Sequence, residues 1–369
     1  MTREPDACPG LIQLHNAADG PLARIRIHGG VVAAAQLEAL AHAAETLGNG
    51  EMELTSRGNI QLRSVRDAGQ LQNQLADAGL LPSLTHERIR NIVASPLSGR
   101  SGGLADIRPL IAELDAALQA VPELANLPGR VLFGLDDGRG DITALAPDFG
   151  VQATGDEFTL ILAGKDSGAR TSTPVDTIVD AAKAFGDVRT DEWRLGDIVD
   201  GVPKVLDSLG LAVAAEPQAM PAAEHPIGWF EQPNGHVTLA GGLKFGTLSS
   251  RLAQFIAAIE APITITPWRS IVIADLDEGV ADAALRVFAP LGMIFDAHSP
   301  WLQVTACAGR PGCAKALADV RADAAAAIER GTLPLVGHQH WSGCERRCGK
   351  PKSAGDVVAT TDGYEANYG

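Results

Sequence analysis

Cys307 and Cys313, in CAGRPGC, and Cys344 and Cys348, in CERRC, form two tight pairs near the end of the chain. Two short loops of this kind can bring four thiolates to one point, where they would hold either a [4Fe–4S] cluster or a structural zinc ion. Zinc knuckles favour two to four residues between the cysteines of each pair. Here five residues separate the first pair and three the second. Gly309, Gly312, Gly343 and Gly349 let the backbone wrap closely around an inorganic core. The sequence predicts an Ala-rich helix from about Cys313 to Arg330, ended by Gly331, whose first-turn N–H groups would favour a negatively charged cluster. Arg346 and Arg347 add positive charge to the second loop; the competing reading is a solvated loop. Cys8, in ACPG, is read as a thiol outside the ligand set.

The elements that must position these loops look duplicated. LARIRIHGG, an Ala/Leu helix from about Val32 to Leu47 and MELTSRGNIQLR are answered by GHVTLAGGLKFG, a helix from about Thr247 to Ile259 and ITITPWRSIVIADL. Period-two alternation before and after each helix marks strands. Each second strand carries Thr, a short spacer and Arg, as Thr55 to Arg57 and Thr266 to Arg269. A longer α/β segment follows each copy, and only the second holds the cysteine pairs. The expected divisions are residues 1–81, 82–213, a Pro/Ala-rich linker 214–226, 227–277 and 278–369. A duplicated scaffold with one metal site places the active site between halves.

At 369 residues the chain can bury more than one core. Its formal net charge of −15 argues against nucleic-acid or anionic-membrane partners. MTREPDACPG has no apolar leader pattern, and no apolar run approaches a membrane span. Clustered cysteines without such a leader fit a reducing cytoplasm and metal binding. No G-x-G-x-x-G follows a strand and no P-loop is present, so no nucleotide site is read.

Three further segments, with the cysteines, resemble the nitrite/sulfite reductase superfamily. LTSRGNIQLR (54–63) resembles its Thr-x-Arg-x-x-x-Gln strand, ERIRNIVASPLSG (87–99) its Arg-Asn segment, and LPGRVLFGLDDG (127–138) its Leu-Pro-x-Lys-x-Lys segment. The resemblance spans almost the whole chain and implies an α+β fold of duplicated type. In it, 1–81 and 227–277 are ferredoxin-like half-domains, while 82–213 and 278–369 are α/β domains, the latter with the [4Fe–4S] cluster. It also implies a tetrapyrrole-binding cleft, for which Arg57, Asn59, Gln61, Arg63, Arg88, Arg90, Asn91 and Arg130 are the candidates. Arg57, Asn59, Gln61 and Arg63 would share one strand face, against the alternative of a solvated edge strand. Arginine forks suit carboxylates. Arg269 is expected to be a structural echo of Arg57.

Where the reductases are expected to keep two lysines, this chain has Arg130 and Leu132. Arginine does not readily donate a proton and leucine has none. The pattern, with the ACPG opening and the HQHWSGC segment, is more similar to the precorrin-3B synthase family of aerobic cobalamin synthesis. That resemblance implies an O2-dependent monooxygenase acting on precorrin-3A, with electrons from NADH through a separate reductase or ferredoxin. It also implies a non-haem iron, for which no ligand set is legible; His338 and His340 are read as structural. Two alternatives stand beside it: a sirohaem-dependent sulfite or nitrite reductase, and a zinc-stabilised binding protein.

Overall fold

The computed structural model describes residues 8–213, 225–351 and 353–368. Most of the expected linker, residues 214–224, lies outside the described residues.

The alternating N-terminal segment forms β1 (His15–Ala17), β2 (Gly20–Ile25) and the short β3 (Val31–Val32), followed by α1 (Ala34–Leu47). The segment read as one strand is instead a hairpin, β4 (Glu51–Leu54) and β5 (Ile60–Leu62), before α2 (Ala68–Asp77). Thr55 closes the hairpin: its Oγ1 accepts from the backbone N–H of Arg57 (3.3 Å) and Asn59 (3.1 Å). Arg57 therefore sits at the turn tip, and only Asn59, Gln61 and Arg63 continue along one face.

Next come β6 (Ile92–Ala94), α3 (Arg108–Gln119), β7 (Phe133–Asp136), β8 (Phe149–Ala153), β9 (Phe158–Leu162), β10 (Lys165–Thr171), α4 (Pro174–Val188) and α5 (Gly201–Leu209). Strands β6, β7 and β8 run parallel, β9 pairs antiparallel with β8, and β10 pairs antiparallel with β9. The second copy supplies β11 (Gly228–Glu231), β12 (Val237–Leu243), β13 (Thr247–Ser249), α6 (Ser250–Ala257), β14 (Ile263–Ile265), β15 (Ser270–Leu276), α7 (Glu278–Phe288) and β16 (Met293–Ile294). The chain ends with α8 (Pro300–Gln303), β17 (Val304–Ala306), α9 (Val320–Arg330), β18 (Gln339–Ser342), β19 (Gly355–Thr360) and β20 (Gly363–Asn367).

The two copies exchange strands. One sheet runs β1-β2-β5-β4-β13 and the other β11-β12-β15-β14-β3, so each half completes the edge of its partner's sheet. Leu37, Leu40, Met52, Leu248, Leu252 and Ile265 accordingly share one buried core. At the junction Gly30, at φ +72°, lies so close to the Ile265 carbonyl that a Cβ would stand 2.0 Å from its oxygen. Only glycine fits there.

Candidate functional site

The two cysteine pairs converge because β17 and β18 are parallel neighbours. Cys307 follows one and Cys344 closely follows the other, so both emerge at the same sheet edge. The Cys307 N–H donates to the Trp341 carbonyl (2.9 Å), the Leu317 N–H to the Gly343 carbonyl (2.8 Å) and the Gly343 N–H to Cys307 Sγ (3.2 Å). The Cys348 thiol is pushed up, first by burial and then by the charges of Cys307, Cys344 and Cys313. The other three thiols thus lie within electrostatic reach of Cys348.

Four converging thiolates are the donor set of a [4Fe–4S] cluster or of a structural zinc ion. Among the described residues, no three of the sulfurs lie within 4.8 Å of one another. Tetrahedral zinc with Zn–S of ~2.3 Å needs sulfurs roughly 3.8 Å apart. The helix expected from Cys313 begins only at Val320, capped by Asp319 accepting from the Ala322 N–H (3.1 Å). Contrary to the expectation from sequence, the helix therefore does not open on a cysteine. Backbone groups of residues 307–318 are used to tie the loop, as in Cys313 N–H to Gly309 O (2.8 Å) and Arg310 N–H to Ala318 O (2.9 Å).

His340 lies fully buried behind the second loop. Its Nε2 must donate to the Cys348 carbonyl (3.1 Å), so in the neutral ring Nδ1 accepts from the Thr305 hydroxyl (2.7 Å). Burial, then nearby Arg269, holds its pKa down to about 4, which keeps that tautomer at neutral pH. His338 is exposed.

A second feature is cationic. The alternation of LARIRI puts Arg24 and Arg26 on one face of the sheet, a signal that sequence reasoning passed over. Arg24 Nη1 and Arg26 Nη2 stand 3.7 and 3.8 Å from Cys8 Sγ. Arg57 Nη1 donates to the Gly129 carbonyl (3.1 Å), which also accepts from Cys8 (3.6 Å). Burial lowers all three guanidinium pKa values, that of Arg26 to about 10. Arg26 Nε is buried without a partner, and among the described residues no carboxylate forms an ion pair with any of the three. One buried and two half-buried guanidinium groups on a common face suit an anionic ligand.

The other candidates divide between this site and the framework. Gln61 accepts from Arg24 Nε (2.9 Å) and donates to Glu53 (3.1 Å). Asn59 donates to Asn91 Oδ1 (3.1 Å), and Asn91 donates to the carbonyls of Arg88, Gly129 and Val131, stitching the hairpin to the Pro128 loop. Arg63 forks Asp19 (2.7 and 2.8 Å) and reaches the Gly312 carbonyl (3.0 Å). Arg90, 2% exposed, is committed to a bidentate pair with Asp115 (2.6 and 2.8 Å) that also touches His28. It offers no free fork. Arg88 is half-buried, and Arg130 is exposed, its guanidinium 4.7 Å over the Trp193 ring.

The pseudo-equivalent of Arg57 is not Arg269 but Trp268. Thr266 Oγ1 accepts from the N–H groups of Trp268 and Ser270 (both 3.3 Å), repeating the Thr55 turn. Arg269, at φ +61°, takes the place of Gly58, at φ +65°. Trp268 packs toward Leu132, itself buried with Val93 and Ile142.

Comparisons with known proteins agree with this architecture. Residues 15–75 match the family described as Nitrite/Sulfite reductase ferredoxin-like half domain. The NirA protein of Mycobacterium tuberculosis superposes with a TM-score of 0.74 at 18% identity, over 94% of this chain and 73% of its own. The chain has the α+β, duplicated nitrite/sulfite reductase fold. Within that class, it resembles precorrin-3B synthase of a Sinorhizobium species, 28% identical over 97% of this chain and 81% of the relative. A ferredoxin–nitrite reductase of Synechococcus elongatus is 24% identical over 90% of this chain and 75% of its own length. These relatives are enzymes of oxidoreductase type.

Proposed function

We propose that this chain is a monooxygenase of the precorrin-3B synthase type in aerobic cobalamin synthesis. It would hydroxylate precorrin-3A at C20 and close a lactone with the ring A acetate. One oxygen atom of O2 enters the tetrapyrrole; the other leaves as water, with two electrons and two protons. Cys307, Cys313, Cys344 and Cys348 would hold a [4Fe–4S] cluster that supplies electrons one at a time. A separate cytoplasmic reductase or ferredoxin, drawing on NADH, would reload it. A non-haem iron for O2 belongs to the same reading, without assigned ligands.

Arg24, Arg26 and Arg57 are the cations best placed to take peripheral carboxylates of such a substrate, since Arg26 is buried, Arg24 and Arg57 are half-buried, and none of them has a carboxylate ion-pair partner among the described residues. Leu132 is the observation that carries the choice of oxygenation over reduction. It is 4% exposed and packed in an apolar cluster, at the position where the resemblance expects a proton-donating lysine. Neither it nor Arg130 can deliver the protons that reduction of an oxyanion consumes.

The competing reading, a sirohaem-dependent reductase, draws on the nitrite reductase relative. Protein purified anaerobically is expected to contain iron and acid-labile sulfide, to lack the strong Soret band of sirohaem, and to leave sulfite and nitrite unreduced with a strong artificial donor. Efficient turnover by protein with stoichiometric sirohaem would replace the oxygenase reading. Zinc without sulfide would replace both with a zinc-stabilised binding protein.

A further inference from the structure

Glu53 belongs to neither the cysteine loops nor the arginine face, yet it touches the supports of both. It lies on β4 and is 8% exposed. On one side, Oε2 accepts from Gln61 Nε2 (3.1 Å), and Gln61 in turn holds Arg24. On the other, Oε1 accepts from Arg321 Nη2 (2.6 Å), and Arg63 Nη1 stands 3.7 Å from Oε2. Both of these arginines continue into the first cysteine loop. Arg321 Nε donates to the Cys307 carbonyl (3.3 Å) and Arg63 Nη2 to the Gly312 carbonyl (3.0 Å). The two carbonyls lie at opposite ends of that loop. A single carboxylate therefore holds one anchor of the segment from Cys307 to Cys313 through Arg321 and lies beside the other, Arg63.

The charge balance has a consequence for redox chemistry. Arg63 already has a bidentate partner in Asp19. Arg321 has Glu53 as its ion-pair partner, and half-buried Arg269 adds a further cation near both of them. Any cluster on these thiolates becomes more negative on reduction, so each nearby uncompensated cation raises its potential and each nearby anion lowers it.

We infer that Glu53 is a positioning residue that seats the first cysteine loop and sets the potential at which the cluster accepts an electron. The inference rests on the reading of Cys307, Cys313, Cys344 and Cys348 as cluster ligands. It also joins the two sites: a carboxylate bound at Arg24 adds a negative charge to the chain of hydrogen bonds Arg24–Gln61–Glu53–Arg321 that ends on the Cys307 carbonyl.

The test is a redox titration of full-length, anaerobically purified protein, followed by electron paramagnetic resonance, with iron and sulfide counted first. Glu53→Gln removes the anion and should shift the midpoint potential upward. Arg321→Gln removes the cation and should shift it downward. Glu51→Gln, on the same strand but exposed, should leave it near the wild-type value. Opposite signs are the signature of electrostatic tuning, because mere loosening of the loop would move both variants the same way. If Glu53→Gln fails to retain iron, Glu53→Asp should keep the wild-type potential while Arg321→Gln still lowers it. Unmoved potentials, or shifts of one sign, in protein that holds its cluster would overturn the inference. Wild-type protein without iron and sulfide would overturn the cluster reading itself.

Discussion

Cys307, Cys313, Cys344 and Cys348 meet because the chain leaves two parallel neighbouring strands at the same edge. Replacing any one of them by Ser should therefore strip iron and sulfide from the protein. Cys8→Ser should leave both intact, since Cys8 faces Arg24 and Arg26 rather than the cluster loops. Iron analysis of the five variants decides it: a cluster lost with Cys8 and kept without Cys307 would reverse the assignment. The arginines separate in the same way. Arg57→Ala removes one charge-assisted contact, about 1.5–3 kcal/mol, and should weaken substrate binding roughly 10- to 150-fold, with the fold unaffected. Arg90→Ala instead leaves buried Asp115 without its arginine partner, and should cost about 3–5 kcal/mol of stability. Denaturant titration of both variants, beside a binding curve, tests the division. Sequence alone treated these two arginines alike, because the residue that claims Arg90 stands in α3, far along the chain.

At the scale of elements, the loop after β7 is held by its own carboxylates. Asp136 accepts from the N–H groups of Gly138, Gly140, Ile142 and Thr143, and Asp137 forks Arg139. Asp141 accepts from the Ser95 hydroxyl and the Ile142 N–H, with Arg139 Nε at 3.9 Å. Burial, opposed by the Ser95 bond and reinforced by Asp136, raises its pKa from 3.8 to about 7. Between those values the folded chain keeps a proton that the unfolded chain has lost, so this group's stabilisation is full in acid and declines as pH rises toward 7. Asp141→Asn should flatten that slope in thermal melts recorded from pH 4 to 8; an unchanged slope would contradict the shift. The strand–glycine–helix–strand pattern of each half was legible from alternation and composition. The hairpin tip at Thr55 was not, because a turn closed by a threonine hydroxyl leaves the alternation on both sides unbroken. The start of α9 was misplaced for a related reason: Ala-rich composition spoke for helix, while the backbone of residues 307–318 is spent on joining the two cysteine loops. Asp319, with its capping side chain, was the signal that marked the true start.

For the whole molecule, the exchange of β3 and β13 between the sheets makes the two halves one framework. Repetition in the sequence could announce two similar halves but not that each finishes the other's sheet, which depends on edge pairing between residues as far apart as Glu53 and Thr247, or Val32 and Ile263. The same pseudo-symmetry is broken where the chemistry lies. Arg57 in one half corresponds to Trp268 in the other, and only the second α/β segment carries the two cysteine pairs. Among the described residues, no helix is long and apolar enough to cross a membrane. The most direct test of the function is incubation of the cluster-containing protein with precorrin-3A, an electron source and isotopically labelled O2, followed by mass spectrometry of the tetrapyrrole. One labelled atom per product molecule is predicted, with no product when any of the three components is left out. A hydroxylated product without label would contradict the monooxygenase account.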